Sequence, residues 1–222
     1  MLLVQEKHIV PALFPIDISG GPFTGDYVSM KNYKHCTINI SIGVTTGTCA
    51  ITLKQATAVA ATGAKALAFT KYWMTGTKLK IKSATGTFTV GETVTGAGGA
   101  SGVVFKDNGD HLLMYTVNAT AFVDGETVTG GTSAFTAKAD GIGIDEDILL
   151  PCTATSDTFT IPAVSNRKYV IEVDASSLDL DNDYDCMCVY FADATAGCIG
   201  GADYILSEPR YSGEPMPTAI YD

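Results

Sequence analysis

The sequence predicts an all-β protein: an antiparallel, jelly-roll-like β-sandwich interrupted by a smaller β-barrel or sandwich built from two related units. Three observations lead there. The phrase Phe88-Thr89-Val90-Gly91-Glu92-Thr93-Val94-Thr95-Gly96 returns as Phe122-Val123-Asp124-Gly125-Glu126-Thr127-Val128-Thr129-Gly130, offset by 34 residues (92 to 126). Repetition at a fixed period marks a duplicated supersecondary unit. On either side of these copies, polar and apolar residues alternate with the period of two that half-buried strands show. Glycine-rich turns, rather than a long helical pattern, separate the apolar runs.

Along the chain, Pro11, Pro15, Pro22 and Gly20-Gly21 predict an extended arm with a short strand or two, because proline removes a ladder donor and glycine weakens regular elements. Tyr27-Val28-Ser29-Met30 begins the first clear strand. Thr37-Ile38-Asn39-Ile40-Ser41-Ile42 alternates strictly, and Cys49-Ala50-Ile51-Thr52-Leu53 reads as its hairpin partner across Gly43 to Gly47. Gln55 to Ala68 mixes helix-favouring alanines with Thr57, Val59, Thr62 and Gly63, and so reads as a loop with at most one helical turn. Lys71-Tyr72-Trp73-Met74 follows, its single tryptophan expected in the core or at the domain junction.

Residues 76–143 form the expected insert, rich in Gly, Thr, Ser, Ala and Val. Val94 and Val128 should point inward between outward threonines. Asp107-Asn108-Gly109-Asp110 is a turn by residue type, and His111 to Val117 continues as a strand. Neither repeat could bury a core by itself, so the two should pair about a pseudo-twofold axis. Residues 1–75 and 144–222 are expected to complete one sandwich. Its later strands are Asp157–Ile161, Tyr169–Val173, Cys186–Phe191 and Tyr204–Leu206. Cys186–Phe191 is apolar on both faces and should be central. Pro209, Pro215 and Pro217 end the chain as a second arm.

Charged residues make up 17% of the chain, against about a quarter in ordinary soluble proteins, so part of the surface is expected to be covered in an assembly. No apolar run approaches the roughly 18–20 residues of a membrane span. The net charge of −10 argues against nucleic acid, whose phosphates call for clustered cations. Lys78, Lys80 and Lys82 alternate along one solvated strand face. Met1 to Lys7 lacks the features of a leader, so folding is expected in a cytoplasm. There the six cysteines (Cys36, Cys49, Cys152, Cys186, Cys188, Cys198) should be free, buried thiols.

No catalytic, cofactor or metal residues are assigned. Leu178 to Asp185 carries alternating carboxylates, a pattern that could converge on calcium. Tyr184 and Tyr190, however, stand where the EF-hand glycine and glutamate belong, so an acidic connection is the simpler account. Cys186 and Cys188 share a strand face without a CxxC spacing. His8, His35 and His111 lie far apart, with no nucleophile pattern near them. Gly96-Ala97-Gly98-Gly99 lacks the lysine and helix of a phosphate loop. Glu92 and Glu126 recur in equivalent places, which suits a turn glutamate better than a pair of glycosidase carboxylates.

One resemblance stands beside these readings. Gly25-Asp26-Tyr27-Val28-Ser29-Met30-Lys31-Asn32-Tyr33, Leu53-Lys54-Gln55-Ala56-Thr57 and Ala64-Lys65-Ala66-Leu67-Ala68-Phe69 resemble a class of small virion structural proteins of tailed bacteriophages. Those proteins pair D-Y-V-S-(L/M)-K-N with T-L-x-Q-A and a later A-K-x-L-x-F. Asp157–Ile161, Tyr169–Val173 and Tyr204-Ile205-Leu206-Ser207-Glu208-Pro209-Arg210-Tyr211 are similar as well, so the likeness covers the flanking domain. The F-x-x-G-E-x-V-T-G units are similar to repeats of phage head and tail proteins.

The resemblance implies a non-enzymatic, capsid-associated protein: an auxiliary, decoration or head-fibre-like component without a cofactor. Its expected partners are the major capsid protein or other virion proteins and further copies of itself, as a trimer, with neither nucleic acid nor membrane. Its expected place is the virion, assembled in the host cytoplasm. The alternative is a tail, neck or head-fibre module whose insert binds host-surface glycans through Phe105, Tyr115 and Phe135.

Overall fold

The computed structural model describes residues 7–141, 144–155, 157–210 and 219–220. The C-terminal arm expected around Pro215 and Pro217, and the first six residues of the N-terminal arm, lie outside the described residues. In chain order the strands are β1 (His8–Asp17), β2 (Phe23–Thr24), β3 (Val28–Ser29), β4 (Tyr33–Thr45), β5 (Cys49–Ala56), β6 (Lys65–Leu67), β7 (Lys71–Lys82), β8 (Thr93–Gly96) and β9 (Ser101–Asp107). There follow β10 (His111–Thr116), β11 (Thr127–Gly130), β12 (Thr136–Ala139), β13 (Ile144–Thr153), β14 (Thr158–Ile161), β15 (Arg167–Asp174), β16 (Cys186–Phe191) and β17 (Cys198–Pro209). Two short 3₁₀ turns, Ala175–Ser177 and Leu180–Asn182, separate β15 from β16.

Contacts divide the chain into two compact units. One comprises Met1–Trp73, Pro151–Ile161 and Asn166–Asp222; the other comprises Met74–Leu150 and Pro162–Ser165. In the first unit one sheet runs β1-β17-β4-β15 and the facing sheet runs β14-β5-β16-β2, with β3 also paired to β16. With β2 and β3 taken as one broken strand, this is the strand order of a jelly roll: first beside last in one sheet, second beside seventh in the other. Alternate residues of each strand meet between the sheets. Ile38, Ile40, Ile51, Leu53, Tyr169, Ile171, Phe191 and Tyr204 are all buried there.

That order corrects the expected hairpin. β4 pairs with β15 and β17, whereas β5 pairs with β14 and β16, so Val44 to Thr48 arches from one sheet to the other. Period-two alternation identifies a strand with one buried face, but it carries no information about which strand lies alongside. Gly47 serves this arch: a side chain there would begin 2.3 Å from the backbone nitrogen of Ala196.

Three other expectations are refined. The N-terminal arm places its ten residues from His8 to Asp17 against its own β17 rather than projecting away. In Gln55 to Ala68 there is no helix. Thr57 turns back through a backbone bond to the Thr62 carbonyl (3.0 Å), and β6 pairs with β5. Trp73 is half-buried rather than enclosed in the core, and it is the last residue before the chain enters the second unit at Met74. By contrast, β16 does lie between strands on both sides, its Cys186 and Cys188 covered by Tyr27 and Val59.

A second strand-to-strand tie crosses the first unit. β16 pairs with β2 at Tyr190 and Phe191 and with β3 at Cys186 and Met187, which leaves Val189 opposite the break. Gly25 N–H donates to the Val189 carbonyl (2.8 Å). The Val189 N–H donates to the Tyr204 hydroxyl (2.8 Å), which reaches across from β17.

The second unit is a closed antiparallel barrel in the order β7-β10-β9-β8-β11-β12, with β12 returning to β7. Closure removes the open edges that such short strands would otherwise present. Its interior holds Leu79, Ile81, Phe88, Val94, Val104, Leu112, Met114, Phe122 and Val128. Val94 and Val128 point inward and Thr95 and Thr129 outward, as the repeat predicts. Thr95 pairs with its own counterpart Thr129, flanked by Val94–Gly130 and Gly96–Val128, so a local twofold axis passes between the two threonines. The loops that follow the two copies differ in length. The first loop closes from Gly96 to Ala100 and the second, one residue longer, from Gly130 to Phe135.

Candidate interaction surfaces

The sequence singled out several chemistry-bearing groups, and the fold keeps most of them apart. His8 Nδ1 lies 2.9 Å from the Tyr33 hydroxyl. His111 sits between Asn108 and Asp110, at 2.8 and 2.6 Å. His35 is different: its Nδ1 is 2.9 Å from Asp174 and its Nε2 contacts Glu172. An imidazole with a carboxylate at each nitrogen can donate twice only when protonated. Partial burial opposes that charge, but the bonds to Asp174 and Glu172 outweigh it and raise the His35 pKa.

In the acidic connection, Asp179 pairs with Lys65 and accepts two bonds from the Asn182 amide, at 2.9 and 3.0 Å. The Lys65 bond, with help from Asn182, holds this carboxyl below its ordinary range. Lys65 also lies over the Tyr184 ring at 3.8 Å, and Asp185 pairs with Lys31 at 3.3 Å. Asp179 therefore ties this connection to β6, and Asp185 ties it to the turn between β3 and β4, so the two point to separate partners. Among the described residues no cluster of His, Cys, Asp and Glu has the arrangement of a metal site.

Glu92 and Glu126 prove to be reciprocal clasps. The Glu92 carboxylate accepts from the backbone N–H of Thr89 in its own turn (2.6 Å) and from those of Thr132 and Ser133 in the other repeat's loop (2.9 Å each). Glu126 accepts from Val123 in its own turn (2.7 Å) and from Gly98 in the first repeat's loop (2.9 Å). Burial would raise the Glu92 carboxyl, but the hydrogen bonds from Ser133, Thr132 and Thr89 hold it below its ordinary value. Gly96 and Gly130 leave room for this exchange, since a side chain at either would begin 2.6–2.7 Å from the opposing glutamate oxygen. The sequence shows the recurrence of these glutamates; only pairing of the repeats shows that each holds the other.

Of the three aromatics proposed for the insert, Phe105 and Tyr115 pack edge to face at 5.8 Å. Phe135 lies over Gly86, where an added side chain would begin 2.5 Å from its ring.

The apolar feature with most exposure lies on the first unit's edge strand. In β1 the register shifts between Pro11 and Leu13 and again between Leu13 and Ile16, the disruption that a bulge produces. Phe14, inside that interval, is 75% exposed. Ile16 and Ile199 (41% each) and Val44 (67%) are exposed near the same end of the sheet. The bulge rides close on Gly201, where a side chain would begin 3.0 Å from the Leu13 carbonyl and from the Pro15 nitrogen.

Beyond the bulge, Asp17 accepts from the Ser19 hydroxyl (2.7 Å), the Ser19 N–H (3.0 Å) and the Cys198 N–H (3.3 Å). Those bonds, led by Ser19, lower its pKa and fasten the end of β1. Pro11 and Pro15 lack N–H donors, which limits continuous strand addition along this edge. What the edge offers instead is the displayed side chain of Phe14.

No family model and no curated protein matches this chain. Solved structures similar to it come from infectious bursal disease virus. One, described as "The 2.6A structure of Infectious Bursal Virus Derived T=1 Particles", covers 97% of this chain and 43% of its own at 8% identity and a TM-score of 0.21. A VP2 subviral particle covers 97% and 44% at 10% identity and a TM-score of 0.11. The Gx strain structure covers 92% and 40% at 9% identity and a TM-score of 0.10. This chain spans less than half the length of those chains, and at such scores the likeness carries no weight for fold or function.

Proposed function

We propose that this chain is a non-enzymatic structural protein of a virus particle: a decoration or auxiliary component that docks on the major capsid lattice of a tailed phage. The observation that carries this reading is Phe14, 75% exposed and displayed on the edge strand of a jelly-roll sheet by a bulge that the Asp17 bonds fasten at its far end. Large apolar side chains exposed on the edge strand and its neighbours, as Ile16, Ile199 and Val44 also are, suit a surface that a partner covers. Jelly rolls serve viral capsids, lectins and cupins alike, so the fold accommodates this role without selecting it. The sequence resemblance to phage virion proteins supports the first of those uses. In this reading further copies, in a trimer, cover more of the low-charge surface, and the net charge of −10 keeps the protein away from nucleic acid.

The test is to purify particles, count copies by quantitative mass spectrometry and locate the protein by electron microscopy. Many copies on the head shell are expected, together with loss of particle binding in Phe14→Asp, whose exposed site leaves the fold intact. Absence from particles, a few copies at the tail, or full binding by the variant would overturn the reading.

A further inference from the structure

A cleft of about 310 Å³ opens on the first unit, lined by Phe69, Lys71, Trp73, Glu172 and Ser177 among others. That volume lies at the lower end of small-molecule sites, which run to roughly 300–1,000 Å³. Its walls come from three places in the chain: the segment entering β7, strand β15, and the first 3₁₀ turn. The first two are held from behind. Phe69 meets Phe159 edge to face at 6.2 Å, and Phe159 in turn stacks on Tyr72 at 4.0 Å. Glu172 accepts from Thr37 at 2.9 Å and contacts His35, both through Oε2, so its second oxygen keeps its acceptor capacity.

The lining narrows the chemistry of an occupant. Lys71 and Glu172 carry opposite charges, so an ion of either sign meets one attraction and one repulsion. A wholly apolar occupant would desolvate Lys71, Glu172 and the Ser177 hydroxyl without pairing them, which is costly. A wholly polar one would waste the indole of Trp73 and the ring of Phe69. The occupant that suits both is neutral, carries several hydroxyls and has one face of C–H groups to lay on an aromatic ring. We propose that this cleft is a carbohydrate site for a single neutral pyranose residue of a glycan. Trp73 supplies its apolar wall, and Glu172, Lys71 and Ser177 receive its hydroxyls. The proposal concerns the jelly-roll unit, not the barrel repeats, and stands whether or not the protein decorates a capsid.

Trp73 is the only tryptophan in the chain, so its emission reports this cleft alone. Titration of the full chain with glucose, galactose, mannose and N-acetylglucosamine should give a saturable emission change for at least one sugar. Saturation-transfer NMR should show that sugar's ring protons receiving magnetisation. Lys71→Ala and Glu172→Gln, at exposed positions that leave the circular dichroism unchanged, should each weaken that binding about tenfold, the loss of one charge-assisted hydrogen bond. Three results would each overturn the proposal: no emission or transfer signal from any sugar at 50-fold excess over about 1 mM, binding unchanged in both variants, or a response only to arginine or acetate used as charged controls.

Discussion

Glu92 and Glu126, 34 positions apart in sequence, each cap their own turn and the opposite repeat's loop. The relationship makes the two copies interdependent, since neither loop has its carboxylate until both have folded. Removing Glu92 to alanine orphans the N–H groups of Thr89, Thr132 and Ser133 together and should destabilise the barrel by on the order of 3 kcal/mol. Glu126→Ala, with two backbone donors on a more exposed carboxylate, should cost less. Because the folded pKa of Glu92 is depressed, its contribution is present above the ordinary carboxylate pKa and is lost as the pH falls through the lower folded value. Thermal melts of both variants between pH 3 and 7 measure the ranking; equal losses would contradict the geometry.

His35 has the opposite sign. Its raised folded pKa means that the bridge from β4 to Asp174 and Glu172 on β15 is fully present below the unfolded histidine value, about 6.5, and is lost as the pH rises through the folded value. NMR titration should place His35 above that ordinary value. His35→Ala should remove part of the fall in melting temperature between pH 6 and 9. A titration at or below about 6.5 would show that the two carboxylates do not hold the imidazolium.

The Tyr204 hydroxyl is fully buried and receives the Val189 N–H. Tyr204→Phe keeps the packing and leaves that amide without its acceptor, a loss of about 1–3 kcal/mol. Denaturant melts should show it, and hydrogen exchange should show faster opening at Val189. Unchanged stability would mean that the break between β2 and β3 does not depend on this hydroxyl.

Residues Met74–Leu150 belong to the second unit, and the chain on either side of them is already joined by a bond from Ala154 N–H to the Thr70 carbonyl (2.9 Å). Replacing 74–150 with a short glycine linker should therefore leave a soluble, cooperatively melting jelly roll, with its buried core of Ile38, Ile40, Leu53 and Ile171 intact. Aggregation, or a melt without a transition, would show that the first unit needs the second.

Where the sequence was misleading, the cause was mostly partnership rather than element type. Thr37–Ile42 and Cys49–Leu53 do form strands, but in different sheets, because a one-sided apolar face is satisfied equally by a hairpin or by an arch across a sandwich. Lys65–Leu67 forms β6 amid alanines because pairing with Leu53–Gln55 outweighs weak local preferences. The exposure of Phe14 left no distinctive trace, since an apolar residue between prolines looks the same whether buried or displayed.

What the sequence by itself determined is the β character of the chain, the twinned module and its inward valines. Each of these is set by side-chain period and repetition, properties local to a strand. Tertiary structure alone decided the jelly-roll order, the closing of the barrel from β12 to β7, the exchange between Glu92 and Glu126 and the exposure of Phe14. All four depend on which distant strands come side by side, and that follows from burying the whole set of apolar faces at once.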